Sequence, residues 1–429
     1  MIEEKLLING QVRLQGEVEV SGAKNAAVGV IPATILCEET CVLENLPHID
    51  DVTILKTILQ GMGAKVALSP NGVMTINTAS LNTHTATGRL VGHMRASYYL
   101  LGSLLGRFGK AEIALPGGCS IGQRPIDQHI KGLRALGAHT AIENGILKAW
   151  CDELIGAEVY LDVTSVGATI NIMLAAIKAT GTTTIVNAAK EPHVVDIANF
   201  LNCMGANVKG AGTDIIRIKG VKRLHGAPSY AIIPDQIETG TLMIAAAATK
   251  GDVLIKNVIP LHMEALSAKL MEMGVRVSEG DDTIRVTCDR RLKAVNVRTF
   301  PYPGFPTDLQ QPITVLLSTA VGTSVIVENI FESRYKHIHE ILRMGAKVRI
   351  DNSVAVVEGV ERLSGAPVRA TDLRAGAALI IAGLMAEGTT EISNIKYIDR
   401  GYEHIEEKLT HLGADIRRTK TETPNFAIY

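Results

Sequence analysis

At 429 residues the chain is long enough for two or three domains, each with a core of its own. Its composition, 46% apolar and 20% charged, is that of an ordinary globular protein and excludes wholesale disorder. A formal net charge of −1 and an aromatic content of 4% exclude the basic field and stacking surfaces of a nucleic-acid binder, so an anionic ligand must be met by local charge.

The opening MIEEKLLING is acidic and short of apolar residues, unlike a signal peptide. No apolar run reaches the ~18 residues of a membrane span, the best being stretches such as ALIIAGLMA. Cysteines at 37, 41, 119, 151, 203 and 288 are too sparse for a disulfide framework. Cys37 and Cys41 have no nearby His or second pair to complete a metal site. The expectation is a cytoplasmic protein with reduced thiols.

In chain order, a helix-period segment closed by glycine recurs at Met62-Gly63-Ala64, Leu136-Gly137-Ala138, Met204-Gly205-Ala206, Met273-Gly274-Val275, Met344-Gly345-Ala346 and Leu412-Gly413-Ala414. ILKTILQGMGA, IANFLNCMGA and IEEKLTHLGA predict helices stopped by a left-handed residue and followed by a strand such as AKVAL or AKVRI. Between them run segments apolar on every side, among them SVGATINIMLAAIKATG, IETGTLMIAAAATKG and TDLRAGAALIIAGLMAEG. Helices of that kind must be buried, here beneath sheets. A spacing of about 70 residues is too long for a solenoid and predicts six α/β units. These divide into two lobes of three, residues 22–230 and residues 1–21 with 231–429. The crossings are expected near VSGAKN (20–25) and SYAIIPDQIE (229–238), because the first strand needs a partner elsewhere.

Five units end their second strand at an asparagine: Asn45, Asn187, Asn257, Asn329 and Asn394. The remaining unit carries LPGGCSIGQRP there instead. Where the fold asks only for a turn, Asn supplies it, so the Gly117-Gly118-Cys119 insertion is surplus to folding and points to function. Its glycines allow unusual backbone angles, and Arg124 favours both a thiolate at Cys119 and an anionic guest. The buried helices begin at Ser21–Asn25, His93–Ser97, Ser165–Thr169, Gln236–Thr239, Thr307-Asp308 and Thr371–Arg374. Thr239 and Thr371 read as N-caps. Lys24, Arg95 and Arg374 oppose the helix dipole unless an anion sits between, which predicts a site for a strongly anionic small molecule.

Several motifs in one order carry a resemblance over essentially the full length. They are SGAKNA at 21–26, MRAS at 94–97, PGGCSIGQRPID at 116–127, SVGAT at 165–169, PDQIETGT at 234–241, FPTDLQ at 305–310, FESR at 331–334, TDLRAGA at 371–377 and IDRGYE at 398–403. Together they resemble the enolpyruvyl transferase family, and more narrowly its branch acting on UDP-N-acetylglucosamine in bacterial cell-wall synthesis. The resemblance implies a two-lobed inside-out α/β barrel of six repeated units, with the active site in the cleft between lobes that close on the sugar nucleotide. It implies phosphoenolpyruvate as the second substrate, no metal or organic cofactor, and no obligate protein partner. Lys24, Arg124 and Arg400 would hold the phosphate and carboxylate of phosphoenolpyruvate, with Arg95, Arg334 and Arg374 lining the same cleft beside Asp372. Asn25, Asp127, Gln128, His129, Asp308 and Ile330 would position the sugar nucleotide, with Ser165, Val166 and Gly167 near its diphosphate. Asp308 would be the base, and Cys119 the general acid and the thiol that fosfomycin alkylates.

Glu332 is expected either to serve the site or to pair with Arg334. Gln236 stands where better-known relatives carry Arg, and LDVT before SVGAT lacks a Lys often found there. Two rival readings are the sister transferase acting on shikimate 3-phosphate, against which the Gly-Gly-Cys loop argues, and a catalytically idle sugar-nucleotide sensor. No GxGxxG follows a strand, no Walker sequence occurs, and His337 and His339 face different ways on a helix.

Overall fold

A computed structural model describes residues 2–115 and 125–422. The strands form six four-stranded sheets of one repeated topology. In one of them Glu158–Tyr160 leads into the helix Val166–Ala176, and the strand Thr182–Val186 leads into the helix Pro192–Cys203. Strands Asn207–Lys209 and Ile215–Lys219 then close the unit. Glu158–Tyr160 pairs parallel with Thr182–Val186, which pairs antiparallel with Ile215–Lys219, itself antiparallel to Asn207–Lys209. The helix between the two parallel strands is what such a pair requires, since a tight turn cannot reverse the chain twice.

By contacts the chain divides into two compact units, residues 22–115 with 125–233, and residues 2–21 with 234–422. Two edge strands leave the unit of the helix that follows them. Gln15–Glu19 precedes the helix Lys24–Ala33 yet pairs with Asp252–Lys256, and Tyr230–Ala231 precedes Gln236–Ala248 yet pairs with Cys41–Glu44. The second crossing follows Ile233, three residues beyond the 230/231 boundary read from the sequence. The intervening backbone is still bonded to the first unit, Ile232 N–H to Glu44 O at 3.0 Å and Ala23 N–H to Ile233 O at 2.7 Å.

Within each unit three helices lie at the centre: Lys24–Ala33, Tyr99–Phe108 and Val166–Ala176 in one, Gln236–Ala248, Gln310–Leu317 and Leu373–Met385 in the other. Each is buried for most of its length, as apolarity on every side demands. The covering strands alternate buried with more exposed positions, as in Lys110–Ala114 and Thr323–Val327, so one face of each sheet lies on the helices and the other meets solvent. Each unit is thus inside out, with helices within and sheets without. No helix among the described residues is long and apolar enough to cross a membrane.

The six predicted helix-stopping glycines all have positive φ, from 90° at Gly345 to 100° at Gly274. The recurring asparagines do more than turn the chain. Each side-chain Nδ2 donates to a carbonyl at the end of the parallel edge strand: Asn45 to Ile232, Asn187 to Leu161, Asn257 to Val20, Asn329 to Thr299 and Asn394 to Ala370, at 2.7–3.1 Å. Four of the five also hold φ between 54° and 65°; Asn329 does not. Leu115 follows the second strand of the sixth sheet, and its side chain cannot make this tie. Asn187→Ala loses the bond to Leu161 and forces alanine into the left-handed region. It should lower stability by about 1–3 kcal/mol, read as a lower urea midpoint.

Candidate active site

In the unit formed by residues 22–115 and 125–233, Lys24 opens a buried helix and its Nζ lies 3.0 Å from Oδ2 of Asp51. Asp51 is 1% exposed, on the first turn of the helix Asp50–Gly61. The anion that a cation at this helix end calls for is therefore supplied, at least in part, by the chain itself. Asn25 is the next residue of the same helix. Arg95 lies on the 3₁₀ turn Arg95–Tyr98 ahead of Tyr99–Phe108, its guanidinium 5.7 Å from the centroid of the Tyr98 ring.

Asp127, Gln128 and His129 form the first turn of the helix Asp127–Ala135. Gln128 Nε2 donates to Asp127 Oδ2 (2.8 Å) and Asp162 Oδ2 (3.1 Å), while its Oε1 accepts from the Asp162 amide at 3.0 Å. Lys131 Nζ reaches Asp162 Oδ1 at 2.6 Å and, with Gln128, holds that carboxyl below its ordinary range. Ser165 caps the helix Val166–Ala176, its hydroxyl accepting from the Ala168 amide at 3.3 Å. His129 meets this helix start. A Cβ on residue 167 would lie 2.8 Å from His129 Nε2, so glycine is required for the ring to sit there. The structure thereby brings the IDQH and SVGAT motifs together. Cys119 and Arg124 lie outside the described residues.

In the other unit, Asp308 stands on the 3₁₀ turn Thr307–Leu309 and gathers two arginines. Oδ1 accepts from Arg334 Nη2 at 2.6 Å, and Oδ2 accepts from Arg374 Nη2 at 3.0 Å and Nε at 3.2 Å. The arginine side chains are 2% and 4% exposed against 26% for Asp308, so the guanidiniums are buried more deeply than the carboxylate they hold. Burial alone would raise the Asp308 pKa. The charges of Arg374 and Arg334 and their hydrogen bonds outweigh that and hold it well below the usual carboxylate range. Arg374 also lies 5.3 Å from the Tyr402 ring centroid, and Arg334 lies 5.5 Å from that of Phe331. Asp308 is a partner for Arg334 that the sequence did not name.

Three buried residues that no sequence motif marks support the predicted site residues, two of them in this unit and one in the other. Asp372 caps the Arg374 helix through bonds from the Arg374 and Ala375 amides, at 2.9 and 3.0 Å. Gln311 Nε2 bridges Asp372 Oδ2 (3.2 Å) and the Arg334 carbonyl (2.9 Å), so Gln311 is the first of the three. Glu328, the second, accepts from the Ile330 amide at 2.8 Å and from the Thr307 hydroxyl at 3.0 Å, tying Ile330 to the residue beside Asp308. Burial pushes the Glu328 carboxyl up. In the first unit Asn171, the third, is wholly buried against His129. A polar residue inside an apolar helix was the available signal for Asn171 and Gln311. Arg400 ends the short helix Lys396–Asp399, where Arg418 grips Asp399 at 2.6 and 3.1 Å. The expected caps at Thr239 and Thr371 fall instead to Asp235 and Asp372. Thr239 lies inside its helix, donating to the Asp235 carbonyl at 2.8 Å. Gln236 is the first residue after the Asp235 cap.

The sequence profile of the EPSP synthase (3-phosphoshikimate 1-carboxyvinyltransferase) family matches residues 8–409. The chain belongs to this family of enolpyruvyl transferases. Among individual enolpyruvyl transferases it is 56% identical over 420 residues to UDP-N-acetylglucosamine 1-carboxyvinyltransferase 2 of Clostridium acetobutylicum, covering 97% of this chain and 100% of that protein. It is 55% identical to UDP-N-acetylglucosamine 1-carboxyvinyltransferase of Clostridium botulinum, over 96% of this chain and 99% of the relative. Among solved structures, the enolpyruvyl transferase NikO from Streptomyces tendae superimposes with a TM-score of 0.89 at 27% identity, over 98% of this chain and 100% of NikO. EPSP synthase from Acinetobacter baumannii shares the fold at 18% identity, with a TM-score of 0.75 over 97% of this chain and 100% of that one. The six-unit inside-out α/β architecture expected from the sequence is therefore that of the enolpyruvyl transferases.

Proposed function

We propose that this enolpyruvyl transferase moves the enolpyruvyl group of phosphoenolpyruvate to the 3-hydroxyl of UDP-N-acetylglucosamine and releases phosphate. It would act in the cytoplasm as the first committed step of peptidoglycan synthesis, and so in cell-wall growth, shape and division. The observation that carries this reading is the Asp308 carboxylate, ionised and held by two more deeply buried guanidiniums, in a chain whose near-full-length relatives bear that activity in their names.

Adding an alcohol across an enol phosphate takes a proton from oxygen and delivers one to the methylene carbon; expelling phosphate from the resulting ketal then takes a proton back from that methyl group and restores the alkene. Asp308 is assigned as the base for the hydroxyl proton and Cys119 as the acid at the methylene carbon. Lys24, Arg124 and Arg400 are assigned to the phosphate and carboxylate of phosphoenolpyruvate, whose charge redistributes when the tetrahedral ketal forms and phosphate leaves. Arg95, Arg334 and Arg374 add positive charge around them, Arg374 from the helix that Asp372 caps. Asn25, Asp127, Gln128, His129 and Ile330 are assigned to the sugar nucleotide, and Ser165, Val166 and Gly167 to its diphosphate. Acid, base and cations are all side chains, so the scheme calls for neither metal nor organic cofactor. Fosfomycin, an epoxide, would alkylate the Cys119 thiol.

The discriminating experiment measures phosphate release from phosphoenolpyruvate with each of two acceptors. Release is expected with UDP-N-acetylglucosamine and not with shikimate 3-phosphate. Equal release with shikimate 3-phosphate would move the chain to the sister activity, and none with either acceptor would leave the idle sensor.

A further inference from the structure

The helix Val166–Ala176 carries one carboxamide, Asn171, with no exposed surface. Its two ends have different partners within the same unit. Oδ1 accepts from the Gly102 backbone amide at 2.8 Å, and Nδ2 lies 2.8 Å from Nδ1 of His129. A backbone N–H can only donate, which settles which end of the amide faces Gly102. The end facing His129 is then the NH₂, which can also only donate. Nδ1 must meet it with a lone pair, and the proton of the neutral ring sits on Nε2. Nε2 is the atom packed beside Gly167 at the start of the same helix. The ring is 7% exposed and lies 5.8 Å from Tyr98, centroid to centroid, so burial keeps it in place.

We propose that Asn171 is a positioning residue that holds His129 in the Nε2–H tautomer, presenting a hydrogen-bond donor beside Ser165–Gly167 for the diphosphate of the sugar nucleotide. The ligand in this inference rests on the function proposed above; the tautomer rests on the hydrogen bonds alone. The chemistry suits what surrounds it. The segment LDVT ahead of Ser165 has no cation, and Lys131, on the His129 helix, is bound to Asp162 at 2.6 Å. A neutral N–H held in one tautomer gives directional recognition of phosphate oxygens without requiring that the ring be charged.

Protein labelled with ¹⁵N at histidine reports the tautomer through its ring-nitrogen signals, those of His129 being assigned by their loss in His129→Gln. The wild type should show Nε2 protonated. Asn171→Asp can accept but not donate toward the ring and should place a proton on Nδ1. A wild-type ring protonated on Nδ1, or an Asp variant with an unchanged ring, would overturn the proposal. Asn171→Leu, of similar volume, frees the tautomer and should raise KM for UDP-N-acetylglucosamine about tenfold, with kcat and KM for phosphoenolpyruvate within about twofold. An unchanged KM, or a loss confined to kcat, would also overturn it. Should thermal unfolding show that the Leu variant does not fold, the spectrum of the Asp variant decides. A wild type that shows Nε2–H but ignores UDP-N-acetylglucosamine sinks the functional reading and leaves the tautomer standing.

Discussion

Asp308→Asn is expected to lower turnover by about 10²–10⁴-fold, the usual range for losing a positioned base. Asparagine keeps the shape, but its one oxygen can accept from Arg334 or from Arg374 and not from both, so the unfolding midpoint of the variant is read beside its turnover to separate lost proton transfer from a loosened site. Steady-state phosphate release measures the turnover, and a value within threefold of wild type would remove Asp308 as the base. The same substitution leaves two buried guanidiniums without a charged partner. With partial exposure discounted, about 1–3 kcal/mol of stability should be lost, read by urea unfolding. The pH dependence follows from the depressed pKa. Between the folded and unfolded values the unfolded chain binds more protons, so stability rises with pH. The Asp308 contribution is complete above about pH 5 and fades as pH falls below ~4 toward the lower folded value. Asp308→Asn should flatten that part of the acid limb. A carboxylate held so low is also a weak proton acceptor. Whatever draws Arg374 or Arg334 toward a bound anion would strengthen it as a base.

The second large effect is assigned to Cys119. Cys119→Ala should reduce turnover by about 10²–10⁴-fold while KM for UDP-N-acetylglucosamine stays within about twofold, because the role proposed for the thiol is proton delivery to phosphoenolpyruvate and not nucleotide binding. Cys119→Asp, which retains an acidic proton donor, should keep part of the activity and escape alkylation by fosfomycin. Unchanged turnover in Cys119→Ala would take the thiol out of the mechanism, and alkylation of the Ala variant at the wild-type rate would place the inhibitor elsewhere.

The sequence is most legible where physics is local. A glycine closing a helix announces its left-handed conformation without reference to anything distant, and all six did so. Segments apolar on every side had to lie inside. Comparison of the units exposes the asparagines, but only as turn residues. Their tie to an edge strand is long-range, Asn45 reaching across 187 residues to Ile232, so no local pattern could reveal it. The cations at helix starts stand out in the sequence, but the anions that pack against two of them do not. Lys24 has Asp51 and Arg374 has Asp308, partners supplied by packing.

By itself the sequence determined six α/β units, buried helices, glycine stops and the motifs that place the chain among the enolpyruvyl transferases, because periodicity, turn chemistry and residue type act over a few positions. Only the tertiary structure decided that Asp308 is gripped by arginines 26 and 66 residues away, and that Asn171 reaches 42 residues to His129. Which donor meets which acceptor depends on how buried helices pack. Packing sets distances between side chains that the order of residues along the chain leaves open.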